Sequence, residues 1–294
     1  MIVVTGPSGN VGTELVRMLA ERDDPSTYRV LSRNPDRVRA DLGADVPAER
    51  VDFDDRGTWR HALRDVGTLF LLYPLPHPRT VKTRMTPFVD AAVAAGCRHI
   101  VYVSVPGADR FRLVPHYSVE RHIERSGATF TFLRSSYFMQ NLVRAISTHG
   151  VDIADNEELF IPAGKGLTSF LDSRDVAEVA YDALHRPEHH RDRAYVLTGA
   201  ERLSMDDAAT ILSDVLGRRI RYPRPSMRAF HKRLRQRGVP RDVRFFMTIV
   251  YTLTRTGRNE PLTDDLAQLL GRRPTSFAEF ARSYRDRWTN RAWT

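Results

Sequence analysis

The chain has 294 residues, enough for one large domain or two small ones. Hydrophobic residues make up 41% and charged residues 28%, and with 17 Gly and 17 Pro the composition excludes global disorder, collagen-like repeats and low-complexity classes. The formal net charge of +9 invites a nucleic-acid reading, but all except three of the 45 basic residues are arginines spread over nearly every helical stretch, which argues for a solvated cationic surface instead.

A single cysteine, Cys97, can form neither an internal disulfide nor a Cys-rich zinc site; it fits a reducing compartment, here the cytoplasm. No apolar run reaches the roughly 18 residues a membrane span needs. Met1–Gly6 already has the pattern of a core strand, leaving no room for a signal peptide.

Taken in order, the first half alternates short apolar strands with amphipathic helices. Strands are expected at Ile2–Thr5, Tyr28–Ser32, Arg50–Asp52, Thr68–Leu72, His99–Ser104 and Thr129–Leu133. Helices are expected at Val11–Glu21, Gly57–Asp65, Val81–Ala95 with Gly96 at its end, and Val114–Ser126. Several of these strands are continuously apolar, the mark of a parallel sheet covered on both faces. The pattern predicts an α/β protein: a Rossmann-like doubly wound parallel sheet in residues 1–150, and a smaller, mostly helical cap in 151–294, packed on and partly interleaved with it. In the second part short strands are expected near Phe160, Ser169–Leu171 and Tyr195–Leu197, and helices at Ser204–Leu216 (Ser204 as N-cap, Gly217 at the end), Asp264–Leu270 and Phe277–Trp288. Residues 218–258 carry thirteen basic side chains and read as two helices broken near Gly238-Val239-Pro240, either lid helices with a charged outer face or a grip for an anionic partner. His185, His189 and His190 flank Pro187 without a nearby cysteine and read as surface histidines; no metal site is expected.

The strongest motif is Thr5-Gly6-Pro7-Ser8-Gly9-Asn10-Val11-Gly12, between a strand and a helix. Gly6 turns the chain off the strand, Gly9 leaves room for a diphosphate against the backbone, and Gly12 lets the helix pack on the sheet. The helix start then offers N–H groups and the positive end of its dipole to the phosphates. The second strand ends in Ser32-Arg33 with no carboxylate for a ribose diol, so a hydroxyl and a guanidinium suit a ribose 2′-phosphate: NADP(H) is preferred over NAD(H). Asp52 and Phe53, after the third strand, are expected beside the adenine. Leu72, Tyr73, Val103 and Ser104, at later strand ends, are expected to line the cofactor trough, with a plain core role as the alternative for Leu72 and Val103.

Over nearly its whole length the chain resembles the NmrA-like branch of the atypical short-chain dehydrogenase/reductase superfamily. The resemblance rests on TGPSGNVG (5–12), VLSRNPDR (30–37), VDFDD (51–55), TLFLLYP (68–74), YVSVPGAD (102–109), PHYSVERHIERSG (115–127), TFLRSSYFMQNL (131–142) and LTDDLAQLLGRRPTSFAEF (262–280). It implies NADPH-dependent quinone or double-bond reduction, a redox-sensing regulator, or an enzyme of secondary metabolism. Ordinary members of the superfamily pair a Tyr with a Lys four residues on; here Tyr117 is followed by Arg121, which cannot carry a proton. The likeness to isoflavone-reductase-like relatives places their catalytic lysine near His116, where a histidine could donate a proton at neutral pH. His116, Tyr117 and Ser104 are therefore the candidate catalytic residues, and Tyr73, Tyr137, Phe138, Gln140 and Asn141 the candidate substrate contacts, the aromatic ones also fitting plain core.

The leading expectation is an NADPH-dependent oxidoreductase acting on a small apolar carbonyl, enone or quinone. The alternatives are a non-catalytic NADP(H) sensor acting through a protein partner, and a reductive or redox-neutral tailoring enzyme of a biosynthetic pathway. The expected partners are a small-molecule substrate and a protein partner or a second copy of the chain, with no membrane and no nucleic acid.

Overall fold

Strand β1 (Ile2–Thr5) is buried at every position, as are four successive residues of β2 (Tyr28–Ser32) and all of β5 (His99–Ser104). Such strands can be satisfied only inside a sheet covered on both faces. The computed structural model describes residues 1–74, 78–143, 148–257 and 261–289. It contains two compact units, Met1–Ser135 with Ser173–Leu197, and Ser136–Asp172 with Thr198–Thr294.

In the first unit β3 (Ala48–Arg50), β4 (Thr68–Leu72), β6 (Thr129–Ser135) and a later strand, Arg193–Leu197, join β1, β2 and β5. All seven run parallel, in the spatial order β3-β2-β1-β4-β5-β6 and then Arg193–Leu197. On one face Leu69, Leu71, Tyr102 and Phe132 pack with Trp59, Phe88, Val119 and Ile123. Elsewhere in the unit the apolar side of Asn10–Arg22 (Val11, Leu15, Val16, Leu19) packs with the helix Ser173–His185, and Tyr181 Oη donates to Asp23 at 2.6 Å. These contacts recruit residues 173–197 to the first unit, so the compact units divide at Ser135/Ser136 and not at 150, and the first is discontinuous in sequence.

The second unit carries a three-stranded sheet of β7 (Tyr137–Phe138), β8 (Thr168–Leu171) and, after the first unit's last strand β9 (Arg193–Leu197), β10 (Arg202–Leu203). Its core holds Phe170, Phe230, Tyr251, Phe277, Phe280 and Trp288. The helix Met205–Leu216 has the expected Ser204 cap, completed by Asp207 into a reciprocal capping box, and Gly217 ends it in the left-handed conformation. The basic segment forms helices Met227–Gln236 and Arg241–Arg255, interrupted where expected. Much of its charge is used internally. Asp152, 1% exposed, takes Arg233 at 2.8 Å and Arg237 at 2.7 Å, while Arg218, Arg221 and Arg224 pair with Glu157, Glu158 and Asp206. Arg258 lies outside the described residues.

Four expectations need correction. The third strand is Ala48–Arg50, because the Asp52 carboxylate accepts the Asp54 N–H at 3.0 Å and turns the chain. The helix expected at 81–95 begins with a π-helical turn, Val81–Met85, before Thr86–Ala94; Pro87 has no N–H to give the turn before it, and the register shifts by one. The segment around Phe160 has only an isolated bridge, Glu158 with Arg221, among the described residues, and Pro162 cannot donate to a ladder. His190 is buried, held by Asp182 at 2.8 Å and Tyr195 at 3.1 Å, while His185 and His189 are exposed.

Gly199 tests the packing of the second unit. A Cβ there would fall on the Phe170 carbonyl oxygen, closer than real Cβ atoms approach. Gly199→Ala should lower unfolding free energy by about 1–3 kcal/mol, read as a reduced urea midpoint; an unchanged midpoint would refute this account.

Candidate functional site

The glycine turn closes through the Gly9 N–H, which donates to the Gly6 carbonyl at 3.0 Å. Gly6 has φ +65°, which L side chains rarely adopt. A Cβ on Gly9 would sit 2.5 Å from Leu72 Cδ2, and one on Gly12 would overlap the Gly6 carbonyl. The three glycines therefore seat the helix Asn10–Arg22 directly on the carboxyl end of β1. Thr13 Oγ1 donates back to the carbonyls of Pro7 (2.9 Å) and Gly9 (2.8 Å) and fixes the turn. Gly9 is the N-cap, and no acidic residue stands in the helix's first turn. The positive end of the dipole is thus left for an external anion. Ser8 is exposed at the tip, Asn10 is half-buried and Val11 is buried. Thr5 is committed elsewhere: its hydroxyl donates to the Phe70 carbonyl (3.1 Å) and accepts the Leu72 N–H (3.0 Å), locking β1 to β4.

At the end of β2, Ser32 Oγ accepts the Asn34 N–H at 3.1 Å, and Asn34 caps the next helix through the Arg37 N–H at 3.1 Å. Arg37 and Arg39 pair with Asp41 and Asp36. Arg33, between these groups in sequence, is exposed and has no hydrogen bond or ion pair among the described residues. Asp52 holds the Asp54 N–H, and its carbonyl takes Trp59 Nε1–H at 2.7 Å. The Phe53 ring packs edge-on against Phe88 at 4.7 Å, so one side of it belongs to the core.

Farther along the sheet the structure brings Tyr73 and His116 together, ring centres 5.1 Å apart. Tyr73 Oη also lies 2.7 Å from Thr80 Oγ1. His116 Nδ1 is 2.7 Å from the hydroxyl of Tyr102, a residue the sequence reading did not single out. Burial pushes the His116 pKa down to about 4. The ring is therefore neutral at pH 7. Tyr117, half-buried, has a hydroxyl with no hydrogen bond among the described residues. Arg121, in the place of the usual lysine, lies over the Tyr117 ring at 5.7 Å and pairs with Glu124 at 2.5 Å, so its charge is partly spent.

Val103 is buried, and Ser104 donates to Glu120 Oε1 at 2.6 Å. Glu120 is fully buried and takes Arg134 through Nε (3.1 Å) and Nη2 (2.7 Å). Burial works against the Arg134 charge, but the bonds to Glu120 outweigh it and raise its pKa. With its proton given to Glu120, the Ser104 oxygen retains only acceptor capacity, which suits an amide N–H better than a substrate oxygen. Sequence reading missed Glu120 and Arg134. The available signals were a carboxylate between the core positions Val119 and Ile123 and an arginine inside the apolar strand β6.

The remaining candidates belong to the second unit. Tyr137 Oη lies 3.0 Å from Tyr251 Oη, and burial raises its pKa to about 12. Gln140 Nε2 donates to Asp172 at 2.7 Å, and Asn141 hydrogen-bonds Tyr137. Phe138 is half-buried. Gln140 and Asn141 sit in a 3₁₀ turn, Met139–Leu142. A cavity of about 720 Å³ lined by Ile2, Thr68, His99 and Thr129 opens at the amino ends of the strands, the opposite end of the sheet from the glycine turn.

The model of the NmrA-like family matches residues 1–281. An NAD(P)H azoreductase of Xenophilus azovorans is 31% identical over 97% of this chain and 98% of its own length. Among solved structures, an NADPH-dependent quinone oxidoreductase of Escherichia coli in complex with NADPH superposes with a TM-score of 0.83 at 23% identity, covering 96% of this chain and 99% of the other. A triphenylmethane reductase of Citrobacter sp. complexed with NADP(H) gives 0.82 at 23% identity over the same shares. At these identities the structural likeness establishes the fold.

The buried histidines predict an acid limb of stability. His99, His116 and His149 each have a pKa lowered from 6.5 to about 4, with burial the largest cause. Between those values the unfolded chain binds more protons than the folded one, so stability rises with pH across the window. Urea midpoints should be highest above about pH 6.5 and fall steadily toward pH 4. His116→Gln should flatten the slope, and an identical slope in that variant would count against a neutral buried His116.

Proposed function

Because the chain belongs to the NmrA-like family, we propose that it is an NADP(H)-dependent oxidoreductase reducing a small, flat, apolar acceptor, a quinone, an enone or another conjugated carbonyl. The observation that carries the reading is the glycine turn, where absent side chains make a cradle at the uncapped start of a helix. A diphosphate fits that cradle by charge and by space. Arg33, without a partner among the described residues, and Ser32 beside it supply a cation and a hydroxyl for a 2′-phosphate. In this reading the first unit binds the coenzyme.

When bound, the reduced coenzyme supplies a hydride. The chain's own residues do the rest. Leu72, against Gly6 and Gly9, closes the floor of the turn. Ser104, its proton committed to Glu120, offers an acceptor to a carboxamide N–H. His116 and Tyr117, in the first turn of the helix Pro115–Glu124, are the groups that could meet a developing oxyanion. Tyr117 keeps a hydroxyl proton to give, without the lysine that usually assists it.

A second reading, a sensor that binds NADP(H) without turnover, draws on Arg121, which stands where the usual lysine would and cannot carry a proton. It predicts unequal affinity for oxidised and reduced coenzyme and no oxidation on any acceptor.

The test is saturable NADPH oxidation on a panel of quinones, enones and azo compounds; tight coenzyme binding with no turnover would move the assignment to the sensor. Arg33→Ala should raise KM for NADPH roughly 10- to 100-fold, the worth of a charged hydrogen bond, and leave KM for NADH unchanged. Equal changes for both coenzymes would remove Arg33 from the 2′-phosphate.

A further inference from the structure

Tyr102 lies wholly inside the first unit, and its hydroxyl has a single hydrogen-bonding neighbour among the described residues, His116 Nδ1 at 2.7 Å. Burial raises the phenol's pKa well above 10, so the hydroxyl keeps its proton and that proton needs an acceptor. If Nδ1 carried the imidazole proton, the phenol oxygen would accept it and the phenol's own O–H would be left without an acceptor within hydrogen-bond reach among the described residues. If Nδ1 is bare, the O–H donates to it and the ring's proton sits on Nε2. Nε2 makes no hydrogen bond among the described residues.

We propose that Tyr102 is a positioning residue that holds His116 in its Nε2–H form, so that a neutral imidazole presents an N–H to an oxygen of the bound acceptor. The tautomer stands independently of the reductase reading; the use made of the N–H rests on it. The imidazole acts as a hydrogen-bond donor and not as an acid. Giving up the Nε2 proton would draw the Tyr102 proton onto Nδ1 and leave a buried phenolate, so the proton that completes the reduced product comes from another group.

The experiment uses the full chain with ¹⁵N-labelled histidine. Two-bond ¹H–¹⁵N correlation spectra at neutral pH identify His116 among the ten histidines by comparison with His116→Gln. In the unsubstituted protein Nδ1 should appear as the bare, pyridine-like nitrogen and Nε2 as the protonated one. Tyr102→Phe keeps the ring and removes the donor, so His116 should shift toward Nδ1–H. With NADPH and a quinone, kcat of that variant should fall by the fraction of Nε2–H lost while KM for NADPH holds; His116→Gln should show a larger loss, about 10²-fold. A protonated Nδ1 in the unsubstituted protein overturns the proposal, as does a tautomer unmoved by Tyr102→Phe. The expected spectra without turnover on any acceptor would instead overturn the reductase reading and with it the use of the N–H.

Discussion

The close approach of Gly12 to the Gly6 carbonyl is the constraint from which the rest of the first unit follows. It allows a helix to start within five residues of a strand's end, aimed so that its amino terminus faces the sheet's carboxyl edge. Thr5 and Leu72 tie that edge to β4, and the later strand ends carry Tyr73, Ser104 and, through the following helix, His116. Any side chain at position 12 would push the helix off its strand, and these groups would no longer share one edge with an anion-attracting helix end.

The legible parts were those where local chemistry and tertiary environment agree. Continuous apolar runs such as TLFLL and HIVYVS mark doubly covered strands whatever surrounds them. Ser204 and Gly217 mark helix ends because their effects act within one turn. Pairings between distant residues were not legible. Glu120 and Arg134 are separated by a helix and a loop and look like surface charges until the fold buries them together. His116 looked like a protonatable group because its reference pKa is near neutrality; only its enclosure by Tyr73 and Tyr102 reverses that.

The buried charge in the two units obeys one rule. Glu120 meets Ser104 and Arg134, and Asp152 meets Arg233 and Arg237; each carboxylate lost from water is matched by several donors. An arginine-rich composition makes this easy, because a guanidinium can satisfy both oxygens at once and tolerates partial burial along its stem. A good part of the arginine content is therefore architectural, which is why composition alone is a poor guide to a nucleic-acid surface in this chain.

The discontinuity of the first unit bears on how the polypeptide is made. The chain completes β6, spends Ser136–Asp172 on the second unit, and only then returns with Ser173–His185 and β9. During synthesis from the amino terminus, β6 emerges with one edge unpaired until residue 197 has left the ribosome, and the helix Asn10–Arg22 lacks its partner helix until residue 185 has. The nascent sheet is thus a transient template for adventitious strand addition, and the returning segment closes it from that side.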